Sequence, residues 1–119
     1  MEYTLVLGAS PNPRRFSYKA VKSLVRHNYP VVAVGFRPGM IGDIEILTGK
    51  PPLKNIHTIA LYLGPERQKD MYDYILDLNP RRIIFNPGTE NDELMEKARS
   101  QGIETVINCA LIMLNTGNY

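Results

Sequence analysis

The 119 residues hold a single cysteine, Cys109, so no internal disulfide framework can form. That fits a reducing compartment and makes the cytoplasm the expected location. No apolar run approaches the ~18 residues a membrane helix needs, so a membrane partner is not expected. The N-terminus opens directly into Tyr3-Thr4-Leu5-Val6-Leu7, without the basic segment or cleavage site of a signal peptide. Charge of one sign is also scarce. Fourteen Lys and Arg face twelve Asp and Glu, leaving a net charge of +2. There is no basic run and no aromatic–glycine signature, so nucleic acid is not an expected partner. Metal-ligand spacing is absent. His27 and His57 stand near no serine or cysteine in a nucleophile pattern, and both read as surface histidines. Glu90, Asp92, Glu93 and Glu96 read as the first-turn carboxylates and solvated face of one helix. Cys109 reads as an inert thiol at the end of a strand. Catalysis is left with no residues of its own, and the expected role is binding.

What is present is the composition of a soluble globular protein, 44% hydrophobic and 22% charged, at a length that fits one domain spanning residues 1–119. Four apolar, β-branched-rich runs punctuate the chain at Tyr3–Leu7, Val31–Phe36, Thr58–Leu63 and Arg82–Phe85, with a shorter fifth at Glu104–Asn108. Their lack of polar alternation marks strands buried on both faces, as in parallel sheets. Between them lie helical patterns. Ser17–Asn28 sets Ala20, Val21, Leu24 and Val25 on one stripe, and Pro65 opens a helix carrying Met71, Tyr72, Ile75 and Leu76 that must stop before Pro80. Thr89-Glu90-Asn91-Asp92 signals a helix cap for Glu93–Ser100, with Gly102 as its left-handed stop. This alternation predicts a three-layer, doubly wound α/β domain with a mainly parallel sheet of about five strands. The stretch Arg37–Ile56 breaks the rhythm, with Gly39, Gly42, Gly49 and Pro51-Pro52. It reads as a long connection with a small edge strand at Ile44–Leu47.

Val6-Leu7-Gly8-Ala9-Ser10-Pro11-Asn12-Pro13-Arg14-Arg15 carries the most chemistry. An apolar strand breaks at a glycine and leads through a polar, basic loop into a helix. There, free backbone N–H groups and the helix dipole converge on a diphosphate. A dinucleotide fingerprint reads G-x-G-x-x-G, and only its first glycine, Gly8, is in place. Gly8 allows close approach of a ligand or is a plain turn glycine. Ser10 offers a hydroxyl and an N–H to phosphate. Of the adjacent Arg14 and Arg15, at most one is expected to be a fork donor. Ser17 is either a helix N-cap or a phosphate contact.

The second strand ends Val34-Gly35-Phe36-Arg37, without the carboxylate that would accept the ribose hydroxyls of NAD. An arginine there attracts a ribose phosphate instead, which points to NADP or coenzyme A. Asn86-Pro87-Gly88 and Leu63-Gly64-Pro65 close two further strands at the same sheet edge and offer polar and backbone groups to a ligand.

These segments resemble the small single-domain CoA-binding proteins, which share a Rossmann-like fold with the CoA-binding domain of the succinyl-CoA synthetase α subunit. The resemblance runs over nearly the whole chain. It rests on Gly8-Ala9-Ser10-Pro11-Asn12-Pro13 with Arg15 and Ser17, on Tyr29-Pro30-Val31-Val32-Ala33-Val34 and on Leu61-Tyr62-Leu63-Gly64-Pro65. Phe85-Asn86-Pro87-Gly88 and Gly102–Cys109 complete it. It implies a CoA or acyl-CoA ligand whose diphosphate lies in the loop Gly8, Ala9, Ser10, Asn12, Arg14, Arg15, Phe16 and Ser17. The adenosine end would face Phe36 and Arg37, with Leu63, Gly64, Asn86, Pro87 and Gly88 flanking the ligand. Family members commonly carry Asn-Pro where this chain has Gly35-Phe36-Arg37-Pro38, and a Trp and a Gln around the Asn86 turn. The synthetases act through a phosphohistidine in a second domain, which this chain lacks. Any catalysis would therefore come from a protein partner. A small NADP-dependent oxidoreductase and an interaction domain that has lost its ligand are the alternatives.

Overall fold

The computed structural model describes all 119 residues. Strand β1 (Tyr3–Leu7) leads into helix α1 (Phe16–Arg26) and then β2 (Val31–Val34). The next two strands, β3 (Gly39–Ile41) and β4 (Ile44–Leu47), form a hairpin around Gly42. Strand β5 (Ile56–Leu61) is followed by α2 (Pro65–Gln68), a 3-10 turn (Lys69–Met71) and α3 (Tyr72–Asp77). The chain ends with β6 (Arg82–Phe85), α4 (Asp92–Ser100), β7 (Glu104–Ile107) and α5 (Ala110–Asn115).

The sheet has seven strands in the order β3-β4-β2-β1-β5-β6-β7, and every neighbouring pair is parallel except β3 with β4. The expectation of about five strands is corrected here. One additional strand, β4, is the small strand expected at Ile44–Leu47; the other, β3, was not expected, because Gly39 and Gly42 interrupt any longer apolar run there. β4 is not a bare edge, because it pairs with β2 on one side and β3 on the other. Helix α5 was not anticipated from the sequence either.

Alternate residues of each strand feed two cores, as the period of two requires. Leu5, Leu7, Ile59, Leu61, Ile83 and Phe85 pack with Ile75 of α3 and with Leu94, Met95 and Ala98 of α4. Val6, Ala33, Ala60 and Ile84 pack on the opposite face with Val21 and Leu24 of α1 and Ala110, Met113 and Leu114 of α5. The second face is lined by smaller side chains. On the first face no helix covers β2 and β4. The irregular segment 48–55 crosses there instead, fastened by Lys50 Nζ donating to the Asp70 carbonyl at 2.7 Å and by the Tyr74 hydroxyl donating to the Pro51 carbonyl.

Helix boundaries follow local chemistry. Asn91, not Thr89, caps α4, its Oδ1 accepting from the amides of Glu93 and Leu94 at 3.1 and 3.3 Å. Gly102 closes that helix with φ +82°, as expected of a left-handed stop. The helix expected from Pro65 is broken into α2, the 3-10 turn and α3, because its apolar residues begin only at Met71.

Strand exits at the carboxyl edge lie unusually close. A Cβ placed on Gly35 would stand 2.0 Å from the Ala9 carbonyl oxygen, far inside contact distance. Gly35→Ala is therefore expected to destabilise the fold by at least about 3 kcal/mol, seen as a lowered urea midpoint at unchanged m.

Candidate functional site

The strand order reverses direction at β1, with β2 on one side and β5 on the other. Such a switch point at the carboxyl ends of the strands is where open α/β sheets form a crevice. A pocket of about 180 Å³ lies there, lined by Leu7 and Gly8 from β1, Val34, Gly35 and Phe36 from β2, and Leu63 after β5. Gly49, Lys50 and Met71 complete it. The walls are mostly apolar, and Lys50 is the one charged lining residue. Because no helix covers β2 on this face, the space stays open between the irregular segment and the 3-10 turn.

Gly8 has φ +99°, and a Cβ on it would meet the Tyr62 backbone at 2.9 Å. The glycine is required by its own chain as well as lining the pocket. The loop beyond it is stiffened internally. Ser10 Oγ accepts from the Asn12 amide at 3.1 Å, and Asn12 Oδ1 accepts from the Arg14 amide at 3.0 Å. Ala9 is buried, whereas Asn12, Arg14, Arg15 and Phe16 are exposed around the start of α1.

Arg15 occupies the N-cap position of α1 in extended conformation, and no side chain caps the helix. Ser17 is buried inside the first turn rather than at the cap, which corrects that reading of it. The first turn carries no acidic residue, so its unpaired amides and the positive dipole end meet no competing anion.

Phe36 is 62% exposed at the pocket rim, and Arg37 follows it on the surface. Gly8, Phe36 and Leu63 are thus brought together at one pocket. Gly64 sits beside it as the N-cap of α2.

Asn86, by contrast, is a strut of the fold. Its side chain is 1% exposed, with Nδ2 donating to the Leu61 carbonyl at 3.0 Å and Oδ1 accepting from the Ala110 amide at 2.8 Å. Both ends of the amide are engaged inside the protein, joining β5, β6 and α5. Pro87 and Gly88 lie exposed on the same turn, two strands from β1, and the Gly88 amide donates to Glu90 Oε1. The hydroxyl of Thr89 donates to the Asn86 carbonyl instead of capping α4.

Leu7, Val34, Gly35, Gly49, Lys50 and Met71 line the pocket without having been singled out from the sequence. Leu7 and Val34 read as ordinary strand core, and Met71 as part of a helical stripe. Gly49 and Lys50 fall in the stretch read as a long connection, and nothing local marks them.

One further side chain is unusual. The Tyr62 hydroxyl is buried without a hydrogen-bond partner. Burial first, then the nearby Cys109 and Tyr119, push its ionisation well above the usual phenol range. The fold holds the neutral phenol and penalises the phenolate, so stability falls as pH rises above the unfolded value near ~10.

A larger, shallow concavity of about 570 Å³ lies at the opposite edge, lined by His57, Asn79, Pro80, Arg81, Arg82, Gln101, Gly102 and Glu104. No group of three or more His, Cys, Asp or Glu is placed to hold a metal ion. No helix is long and apolar enough to cross a membrane.

The family model described as a CoA binding domain matches residues 2–115. The chain belongs to this CoA-binding domain family. Among solved structures, a crystal structure described as that of an uncharacterized protein is 42% identical, with a TM-score of 0.96 and coverage of 100% of this chain and 98% of the other. A protein from Thermus thermophilus is 21% identical, with a TM-score of 0.86 over 99% of this chain and 90% of its own. A hypothetical protein from Pyrococcus horikoshii OT3 is 21% identical, with a TM-score of 0.83 over 98% and 82%. The last two share the fold. None of the curated proteins matches significantly. As a member of this family the chain is an α/β domain with a mostly parallel seven-stranded sheet, and the family's description points to CoA as a small-molecule ligand. The match lends no support to NADP.

Two stability changes separate struts from surfaces here. Asn86→Leu leaves the Leu61 carbonyl and the Ala110 amide buried without partners and is expected to lower stability by about 1–3 kcal/mol in urea unfolding. Tyr62→Phe removes an unpartnered buried hydroxyl while keeping the ring. It is expected to raise stability by about 1 kcal/mol and to make the loss of stability above pH ~10 shallower.

Proposed function

We propose that this protein binds CoA or an acyl-CoA across the carboxyl edge of its sheet, as a carrier, sensor or regulatory subunit without chemistry of its own. The observation that carries the reading is the uncapped N-terminus of α1, reached through the basic Gly8–Ser17 loop and adjoining an apolar pocket at the switch point. The diphosphate would lie over the first-turn amides, with Ser10, Asn12 and one of Arg14 and Arg15 as side-chain donors. Ser10 keeps its hydroxyl proton free, since its oxygen accepts the loop bond. Arg37 would face the phosphorylated ribose, beside Phe36.

The pocket holds only part of such a ligand. Its 180 Å³ falls below the roughly 300 Å³ at which drug-sized sites begin, so the remainder would run over the surface loop. Leu7, Val34, Leu63 and Met71 suit an apolar portion rather than a phosphate. Gly64, Pro87 and Gly88 offer backbone along the same edge, whereas Asn86 serves through the turn it braces. A protein partner would supply any catalysis. A small NADP-dependent oxidoreductase lacks the second and third fingerprint glycines, and an interaction domain without ligand leaves the open helix end unexplained.

Calorimetric titration with CoA and with dephospho-CoA tests the reading, because the two differ only in the 3′-phosphate. CoA is expected to bind more tightly, and Arg37→Ala to lose about 1.5–3 kcal/mol of CoA binding. Absence of binding to either ligand overturns the module, and equal affinity for both overturns the role of Arg37.

A further inference from the structure

Helix α2 carries a cation at the pocket mouth that the reading above does not use. The Arg67 guanidinium carbon lies 4.8 Å from the centre of the Phe36 ring, and Phe36 itself lines the pocket. No carboxylate is within ion-pair distance of Arg67, and its neighbour Glu66 leans instead to Lys69 at 3.7 Å. The backbone that carries it is pinned. Gln68, fully buried, donates from Nε2 to the Leu63 and Thr89 carbonyls, each at 2.8 Å. A guanidinium over an aromatic ring is attracted by the ring's face and still carries N–H donors for other acceptors. No hydrogen bond within the protein takes them up. Arg67 is thus a pre-oriented fork donor held at the rim, and the ring that holds it precedes Arg37 in the chain.

We infer that Arg67 is a second arginine for the 3′-phosphate of the ligand, positioned by the face of Phe36. This rests on the CoA reading of the site. A phosphomonoester carries about −1.5 to −2 charges at neutral pH, which one arginine does not balance. Arg67 stands over the Phe36 ring from α2 and Arg37 is the residue after Phe36 in the chain, so in this reading the two together select for that group. Dephospho-CoA has nothing for the second arginine to hold.

Titration of the wild type, Arg67→Ala, Arg67→Lys and Phe36→Leu with CoA and with dephospho-CoA tests this. Arg67→Ala is expected to weaken CoA by about 10-fold or more while leaving dephospho-CoA unchanged. Arg67→Lys is expected to recover only part of the loss, because it keeps the charge but not the guanidinium fork. Phe36→Leu is expected to reduce the same preference for CoA. Equal weakening of both ligands by Arg67→Ala, or no change in either, overturns the inference and leaves CoA binding intact. Tightening of both by Arg67→Ala also overturns it, since Arg67 would then compete with the ligand for the ring. An unchanged ratio in Phe36→Leu overturns the positioning role of the ring. Wild-type protein that binds neither ligand overturns the CoA reading and this inference together.

Discussion

Everything at the carboxyl edge depends on how closely three strand exits pass one another. The β1 exit is held against β2 by the Gly8 and Ala9 amides, which both donate to the Val34 carbonyl at 2.8 and 3.0 Å. On its other side the Tyr62 amide donates to the Leu7 carbonyl at 2.8 Å. Gly8 and Gly35 occupy positions where a Cβ would collide with backbone of the neighbouring exit. Backbone cannot shift aside as a flexible side chain can, so both residues are fixed by packing before any ligand is considered. Once these exits are clamped, the loop after Gly8 can turn only outward, across the edge and into the uncapped start of α1.

A second layer of constraint is polar. Gln68, Asn86 and Thr89 are buried, and each answers carbonyls or amides at strand exits that no ladder partner reaches. Asn91 links this layer to α4, donating to Gln68 Oε1 and to the Tyr72 hydroxyl while its own oxygen caps the helix. Buried polar groups left unpaired are costly, so such a network ties β5, β6, α2, α4 and α5 to one geometry. The pocket edge is rigid for that reason, and Arg67 inherits its position from it. Tyr62 is the exception, a buried hydroxyl with no partner, in the core shared with α5.

The site also exists because something is absent from the wound pattern. A helix between β2 and β5 would cover the first face of β2, as α3 and α4 cover β5 and β6. The chain makes the β3–β4 hairpin there, then runs irregularly from 48 to 55, tied down by Lys50 and Tyr74. The gap becomes the apolar pocket, and the same Lys50 that fastens the segment lines it.

Unbroken apolar runs, helical stripes and glycine punctuation in the sequence determine the order of the main elements, the parallel character of the sheet and the loop at Gly8, since those signals are local. They also determine the family, because the spaced segments from Gly8 to Cys109 carry it together. Sequence marks β4 at Ile44–Leu47 but not its hairpin partner β3, which is three residues long and too short for a periodic signal. Nor does it tell that Asn86 is a strut, because an asparagine after a strand looks the same whether its amide faces a ligand or two buried backbone groups. Thr89 and Asn91 offer equal capping chemistry, and only the path of the turn chooses between them. The pairing of Phe36 with Arg67, and of Leu7 with Gly49 across the pocket, joins residues tens of positions apart. Those distances are set by strand order and by helix packing, which no local pattern encodes.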